Sequence, residues 1–173
     1  YYDYSKSPSI EKDHINILFL GNFIRSKGII DFIKAGFMLP EKYHKLIKMQ
    51  MAGNWMDCKE EIEHLLIENS KFPLSYLGPI SGQDKNNILV NSDIFIFPTF
   101  YRNEGHPWVI VEAMAAGLPI ISTDRGAIIE SVIDGYNGFI VDPNNPAQIS
   151  KKLELLIQDN KLRIEMGKNS IKM

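Results

Sequence analysis

Asp93-Ile94-Phe95-Ile96-Phe97-Pro98, followed by Asn103-Glu104-Gly105-His106-Pro107-Trp108-Val109-Ile110-Val111-Glu112-Ala113-Met114-Ala115-Ala116-Gly117-Leu118-Pro119, is the segment from which the fold can be read. An unbroken apolar run stopped by a proline predicts a strand buried on both faces that leaves a sheet at Pro98. The apolar residues 109–116 predict a short helix. Glu104 then falls on the strand-to-helix loop, and Glu112 lies about two turns further on, inside the helix which that loop opens. A glycine-bearing loop running into a helix N-terminus is a natural anion cradle, because the first N–H groups of a helix lack intrahelical acceptors and its dipole favours negative charge. The candidate site is placed here.

The same alternation extends in both directions. Strands are expected over Ile15–Leu20, Ile47–Ala52, 74–77, Ile94–Phe97, 119–122 and Gly138–Val141. Helices are expected over 28–39, 58–70, Gly82–Asn91, 109–116 and 127–133. Asn145 followed by Pro146 is an N-cap with proline at the first helical position, so a helix should begin at Pro146, and a second amphipathic helix from Lys161. Strands written as continuous apolar runs and separated by helices belong to parallel sheets covered on both faces. The expected fold is α/β: a single Rossmann-like, doubly wound parallel sheet of about six strands with helices on both faces.

The length of 173 residues suits one domain with a full core. An apolar share of 45% and a charged share of 23% exclude a disordered or coiled-coil chain. With net charge −2 and scattered lysines there is no basic footprint for nucleic acid or an anionic membrane. No apolar run approaches the roughly 20 residues that span a bilayer, so no transmembrane segment is expected, and Tyr1-Tyr2-Asp3-Tyr4-Ser5 does not read as a signal peptide. The single cysteine, Cys58, permits no intrachain disulfide and reads as a structural thiol, which fits a reducing cytoplasm. The polar, proline-bearing opening is expected to be a linker over residues 1–14, leading from an N-terminal domain outside this chain.

In an open α/β sheet, ligands bind beyond the carboxyl ends of the strands, so the loop Gly21-Asn22-Phe23-Ile24-Arg25-Ser26-Lys27-Gly28 should face the same crevice as Glu104. Gly21 permits a tight turn, and Lys27 and Arg25 offer cationic donors to a phosphate. The loop reads equally as a solvated turn with ordinary surface charges. It matches neither the three-glycine dinucleotide fingerprint nor the P-loop, which weighs against NAD and against an ATPase. The two glutamates could be a helix-start carboxylate and a solvated helix residue, but Glu112 is set among Trp108, Val109, Ile110, Val111, Ala113 and Met114. A half-buried carboxylate needs donors, and ligand hydroxyls such as those of a ribose can supply them.

His106 reads mainly as a loop residue, and His14, His44 and His64 have no partners at metal-ligand spacing, so no protein-built metal site is expected. Trp55 and Trp108 read as packing residues, Trp55 with the option of lining the crevice. Gly78-Pro79-Ile80-Ser81 follows a strand and is either a simple turn or a place where backbone meets ligand.

The stretches Ile17-Leu18-Phe19-Leu20-Gly21 with Lys27-Gly28, Tyr76-Leu77-Gly78, Ser92 to Pro98, Glu104 to Pro119 and Asp134-Gly135-Tyr136-Asn137-Gly138-Phe139 together resemble a known family. The chain resembles, over nearly its whole length, the C-terminal, donor-binding domain of GT-B retaining glycosyltransferases. The group is glycosyltransferase family four, typified by bacterial mannosyl- and glucosyltransferases. The resemblance implies a nucleotide-sugar-binding domain over 15–173, the C-terminal half of a GT-B fold, in a hexosyltransferase of polysaccharide biosynthesis. Such a protein moves a sugar from a nucleoside-diphosphate sugar to a glycan or lipid-linked acceptor, with the acceptor held by the missing N-terminal domain, and the fragment alone should bind without turnover. It also implies a cytoplasmic protein, with a membrane-peripheral place open to the full-length chain, and neither cofactor nor metal beyond the donor substrate.

Residue by residue, the resemblance implies Glu112 on the ribose and Glu104 on the donor sugar. Lys27 is placed against diphosphate charge as the leaving group departs, so Glu104 and Lys27 are the expected catalytic pair. Gly105, His106, Pro107, Trp108 and Val109 are implied as the backbone cradle of the distal phosphate and sugar hydroxyls. Pro79 and Ile80 are implied next to the base, with Gly21, Asn22 and Arg25 completing the donor site. The family usually carries arginine where this chain has Asn22, which brings hydrogen bonds but no charge, so leaving-group stabilisation lacks that charge unless Arg25 swings in to substitute. Two other readings stand beside this one: a non-catalytic nucleotide-sugar-binding module, for which Asn22 would record lost transfer, and a Rossmann-type oxidoreductase or epimerase, disfavoured by the absent glycine fingerprint.

Overall fold

A computed structural model describes residues 13–173. The expected linker over 1–14 therefore lies outside the described residues, apart from Asp13 and His14. Six strands alternate with seven helices: β1 (Ile15–Leu20), α1 (Ile29–Phe37), β2 (Ile47–Ala52), α2 (Lys59–Glu68), β3 (Leu74–Tyr76), α3 (Gly82–Asn91) and β4 (Ile94–Phe97) come first. There follow α4 (Trp108–Ala115), β5 (Ile120–Thr123), α5 (Ile128–Ser131), β6 (Gly138–Val141), α6 (Pro146–Gln158) and α7 (Asn160–Lys172). The strands form one sheet in the order β3-β2-β1-β4-β5-β6, and every pairing is parallel.

The apolar runs explain this arrangement. Every residue of β4 and β5 is buried, as are the last four of β1, so these central strands have helices over both faces. Ile17, Leu18, Phe19, Ile94, Phe95 and Ile96 are fully buried, and the Phe19 ring stacks on Phe97 with centroids 5.7 Å apart. Helix α1 lies against α6, and α4 against α7. The chain enters mid-sheet at β1, winds outward to β3, then returns to pair β4 with β1 in the register Leu18↔Phe95. β1 and β4 are thus neighbours at the point where the winding reverses, and beyond the carboxyl ends of such strands is where an open α/β sheet binds ligands.

Local chemistry sets the ends of the elements. Asn145 accepts from the Gln148 N–H at 3.0 Å and starts α6 at Pro146 as expected. Asp159 does the same for Leu162 at 2.9 Å, so α7 begins at Asn160, one residue before the expected Lys161. The expected helix over 127–133 is shorter, because the buried Asn137 amide donates to the Ser131 carbonyl at 2.9 Å and accepts from the Ile133 N–H at 2.8 Å. The Ile133 N–H is thereby taken out of the helical ladder, which ends with the Val132 N–H on the Ile128 carbonyl at 2.8 Å.

Two glycines bring the crevice loops together. Gly28, at φ 81°, ends the 3-10 turn Arg25–Lys27 and lies so close to β4 that a Cβ would come within 2.2 Å of the Pro98 carbonyl oxygen. Gly126, at φ 56°, would place a Cβ 2.1 Å from the Glu104 carbonyl oxygen. Only a residue without Cβ permits either conformation and approach.

Candidate functional site

At the carboxyl edge of β1 the 3-10 turn aims Lys27 across the strand reversal. Its ammonium nitrogen lies 2.8 Å from both Oε1 and Oε2 of Glu104 on the β4–α4 loop. The Glu104 side chain is 7% exposed and that of Lys27 23%, so the pair is largely withdrawn from water and each charge needs the other. Thr99, fully buried just after β4, donates its hydroxyl to Glu104 Oε2 at 2.7 Å, with the Ser26 carbonyl 3.1 Å away as an alternative acceptor. The ammonium also lies 4.8 Å from the centre of the Tyr101 ring, a cation–π contact at the outer side of the pair. The carboxylate thus accepts three hydrogen bonds from two groups, while the lysine keeps capacity for another acceptor.

Beyond Glu104 the chain enters α4 with Pro107 at its N-cap and no side chain capping the helix. Among the described residues, the N–H groups of Gly105, His106, Trp108 and Val109 have no acceptor within the chain, and Pro107 has no N–H to satisfy. Unpaired N–H groups at a helix entrance are able to receive an anion. His106 Nε2 lies 2.5 Å from Ser131 Oγ on α5, which ties its ring to the neighbouring loop. The β5–α5 turn supports the cradle through the Ala127 N–H, which donates to the Gly105 carbonyl at 3.1 Å.

Glu112, in the second turn of α4, is half-buried, and its Oε1 lies 2.5 Å from the ammonium of Lys85 on α3. Its Oε2 is shielded from solvent and has no hydrogen-bond partner among the described residues. The sequence reading that this glutamate is no surface residue holds, and the partner it finds within the chain is a lysine.

Asn22 is exposed, and its side-chain oxygen accepts from Asn54 at 3.1 Å. Arg25 is not brought to the Lys27–Glu104 pair: its guanidinium is paired with Glu61 of α2, which raises its pKa above the ordinary value, and its N–H donates to Asp57 at 2.8 Å. Gly21 donates to the Ala52 carbonyl at 3.0 Å as β1 ends. Pro79 is exposed and Ile80 half-buried on the turn after β3, where the Gly53 N–H meets the Gly78 carbonyl at 3.1 Å.

Trp108 corrects the packing expectation, being 78% exposed at the first position of α4. The neighbouring helix positions Ile110, Ala113 and Met114 take the core face, which leaves position 108 on the outer side. Trp55 does pack, against Phe23 and Tyr76, with ring centroids 4.9 and 4.8 Å away.

Thr99, Lys85 and Ser131 were not singled out by the sequence. Thr99 had a faint signal as a polar residue directly after a strand-ending proline, whereas Lys85 looks like any helix lysine. Among the described residues, no three His, Cys, Asp or Glu side chains gather as metal ligands do, and no helix is long and apolar enough to cross a membrane.

Fold and site together define a Rossmann-like α/β domain with a lysine–carboxylate pair and a free helix N-terminus at its topological switch point. The chain belongs to the family described as Glycosyl transferases group 1, whose profile matches residues 3–173. It is 33% identical over 159 residues to an uncharacterized glycosyltransferase of Methanocaldococcus jannaschii, covering 92% of this chain and 43% of that protein. It is 30% identical over 165 residues to the N,N'-diacetylbacillosaminyl-diphospho-undecaprenol alpha-1,3-N-acetylgalactosaminyltransferase of Campylobacter jejuni, covering 95% of this chain and 41% of the relative. The chain therefore spans about two fifths of the length of the curated relatives it matches.

Among solved structures it is similar to the C-terminal domain of a glycosyl transferase group 1 family protein from Francisella tularensis, with TM-score 0.79, 25% identity and coverage of 92% of this chain and 83% of that one. Anabaena HepE, solved in complex with UDP and glucose, shares the fold at TM-score 0.80 and 18% identity, covering 92% of this chain and 43% of its own.

Proposed function

We propose that this chain is the donor-binding domain of a retaining glycosyltransferase of family four, and that residues 15–173 form the nucleotide-sugar-binding half of a longer GT-B enzyme. The observation that carries this reading is the convergence of Lys27, Glu104 and the unpaired N–H groups of the α4 entrance at the β1/β4 reversal. An ammonium and a set of backbone donors next to one another suit a diphosphate, and a desolvated carboxylate suits sugar hydroxyls. The relatives are named as sugar transferases, and HepE was solved with UDP and glucose, which supports a nucleoside-diphosphate sugar as the donor.

In transfer, the bond from the anomeric carbon to the oxygen of the distal phosphate breaks, a bond from that carbon to the acceptor hydroxyl oxygen forms, and the hydroxyl proton passes to the departing diphosphate. Negative charge grows on the departing diphosphate. Lys27 and the N–H groups of Gly105, His106, Trp108 and Val109 offset that charge, with neither metal nor cofactor assigned to the step. Glu104 holds the sugar hydroxyls and, through its two contacts with Lys27, fixes where the ammonium sits. Glu112 accepts from the ribose, and backbone near Pro79 and Ile80 meets the base. Asn22 contributes hydrogen bonds without charge, and Arg25 reaches the diphosphate only by leaving Glu61. The acceptor, a glycan or lipid-linked saccharide, is assigned to the N-terminal domain of the full-length protein, and the fragment alone binds donor without turning it over.

The test is a transfer assay on the full-length protein with nucleoside-diphosphate hexoses and a lipid-linked or glycan acceptor, with product configuration read by proton NMR. A product with the same anomeric configuration as the donor supports the reading. An inverted product contradicts the retaining assignment, and absence of transfer from any donor that binds favours a non-catalytic module.

A further inference from the structure

Lys85 occupies a place that its own helix does not explain. It lies in the first turn of α3, where the dipole disfavours a cation, and Asp84 beside it is the residue type that turn favours. Its ammonium is only 28% exposed at the side chain and reaches across to α4, 2.5 Å from Oε1 of Glu112. The two oxygens of that carboxylate are therefore unequal: Oε1 is held by Lys85, while Oε2 has neither water access nor a donor. A carboxylate oxygen withheld from water without a donor is costly, so the orientation of this side chain is set by Lys85 and not by solvent. Both helices begin at the carboxyl edge of the sheet, the edge from which the Lys27 loop also leaves β1.

We propose that Lys85 is a positioning residue for the donor: by holding Oε1 of Glu112, it fixes the half-buried carboxylate in the orientation that receives the ribose hydroxyls. This rests on the ribose reading of Glu112 given above. Lys85 has two further N–H donors, so its contact with Oε1 persists when the hydroxyls arrive. Without Lys85 the Glu112 side chain has no partner, turns toward solvent and loses its grip on the ribose, although the base and diphosphate contacts remain.

The experiment is calorimetric titration of the full-length protein, Lys85→Met, Lys85→Arg and Glu112→Gln with UDP, GDP and ADP and with their 2′,3′-dideoxy counterparts. The wild type should favour the ribonucleotide over its dideoxy form on the order of tenfold, as expected for a hydrogen bond to a charged acceptor. Glu112→Gln should lose most of that preference. Lys85→Met should lose it to a similar extent, with Lys85→Arg retaining part. A merely structural lysine would weaken both ligand forms equally and leave their ratio unchanged, so a Lys85→Met protein that keeps the preference overturns the proposal. If Glu112→Gln keeps the preference, the ribose reading fails, and this inference with it. Should Lys85→Met not fold, Lys85→Arg and Lys85→Gln are read against the same ratio, and an unchanged ratio in both again overturns it.

Discussion

Lys27 and Glu104, 77 positions apart in sequence, meet with the ammonium nitrogen 2.8 Å from each carboxylate oxygen. The contact joins the loop after β1 to the loop after β4, and it exists because those two strands are neighbours in the sheet although β2 and β3 lie between them in sequence. The lysine is thus held beside a carboxylate that is largely withdrawn from water, with one N–H of the ammonium left for a further acceptor.

Replacing Lys27 with alanine should lower transfer far more than donor binding. Loss of one donor aimed at developing charge costs on the order of 10²–10³ in turnover, while the backbone cradle still holds the ground-state diphosphate. Steady-state kinetics beside calorimetric donor affinity separate the two effects. Equal losses in both would place Lys27 in uniform binding.

Thr99→Val should destabilise the fold and reduce turnover together. The change removes the hydroxyl that donates to Glu104 Oε2 at 2.7 Å and leaves a poorly exposed acceptor short of a donor, at roughly 1–3 kcal/mol. Urea unfolding of wild type and mutant measures the loss, and an unchanged midpoint would remove Thr99 from the support of Glu104.

Gly28→Ala should cost more than the ~1 kcal/mol typical of an alanine forced to positive φ, because the added Cβ would also lie 2.2 Å from the Pro98 carbonyl oxygen. The 3-10 turn must move away from β4 and carry Lys27 with it. The expected result is a lower melting temperature together with loss of transfer. Full activity would show that the approach of these loops is dispensable.

Cys58 should resist alkylation in the folded protein. Burial, followed by its hydrogen bond to Asp57, pushes the thiol up to about 11, and its S–H lies 3.3 Å from the Phe23 carbonyl. Because the folded thiol binds its proton more tightly than the unfolded one, its contribution to stability is complete below the unfolded value of 9.0 and disappears as pH rises toward about 11. Iodoacetamide labelling at neutral pH should be slow until urea unfolds the chain, and unfolding midpoints should fall between pH 9 and 11 in wild type more than in Cys58→Ala. Rapid native labelling would show an open thiol.

Much of this architecture was legible because the central strands are buried on both sides. Ile15–Leu20 and Ile94–Phe97 have the bounds that their apolar runs predict, and so do Ile47–Ala52, in which Lys48 is exposed, and the edge strand Gly138–Val141. Where burial is weaker the bounds slip: β3 is an edge strand with Ser75, Tyr76 and Leu77 exposed, and it ends at Tyr76, one residue early. Within the site, Lys27, Glu104 and Glu112 could be picked out because loop position and neighbours mark them. The partner of Glu112 could not, since nothing in Gly82–Asn91 distinguishes Lys85 from a solvated lysine until the fold brings its ammonium within reach of α4. Trp108 misled for the opposite reason: apolar neighbours suggested burial, but the helix phase that buries Ile110, Ala113 and Met114 turns position 108 outward.

The most direct measurement is calorimetric titration of nucleoside diphosphates into wild type and Glu112→Ala. One of UDP, GDP or ADP should bind the wild type at a single site, and Glu112→Ala should weaken that affinity by about tenfold or more. Absence of binding by all three, or equal affinity in both proteins, would contradict the assignment of this crevice to a nucleotide-sugar donor held through its ribose.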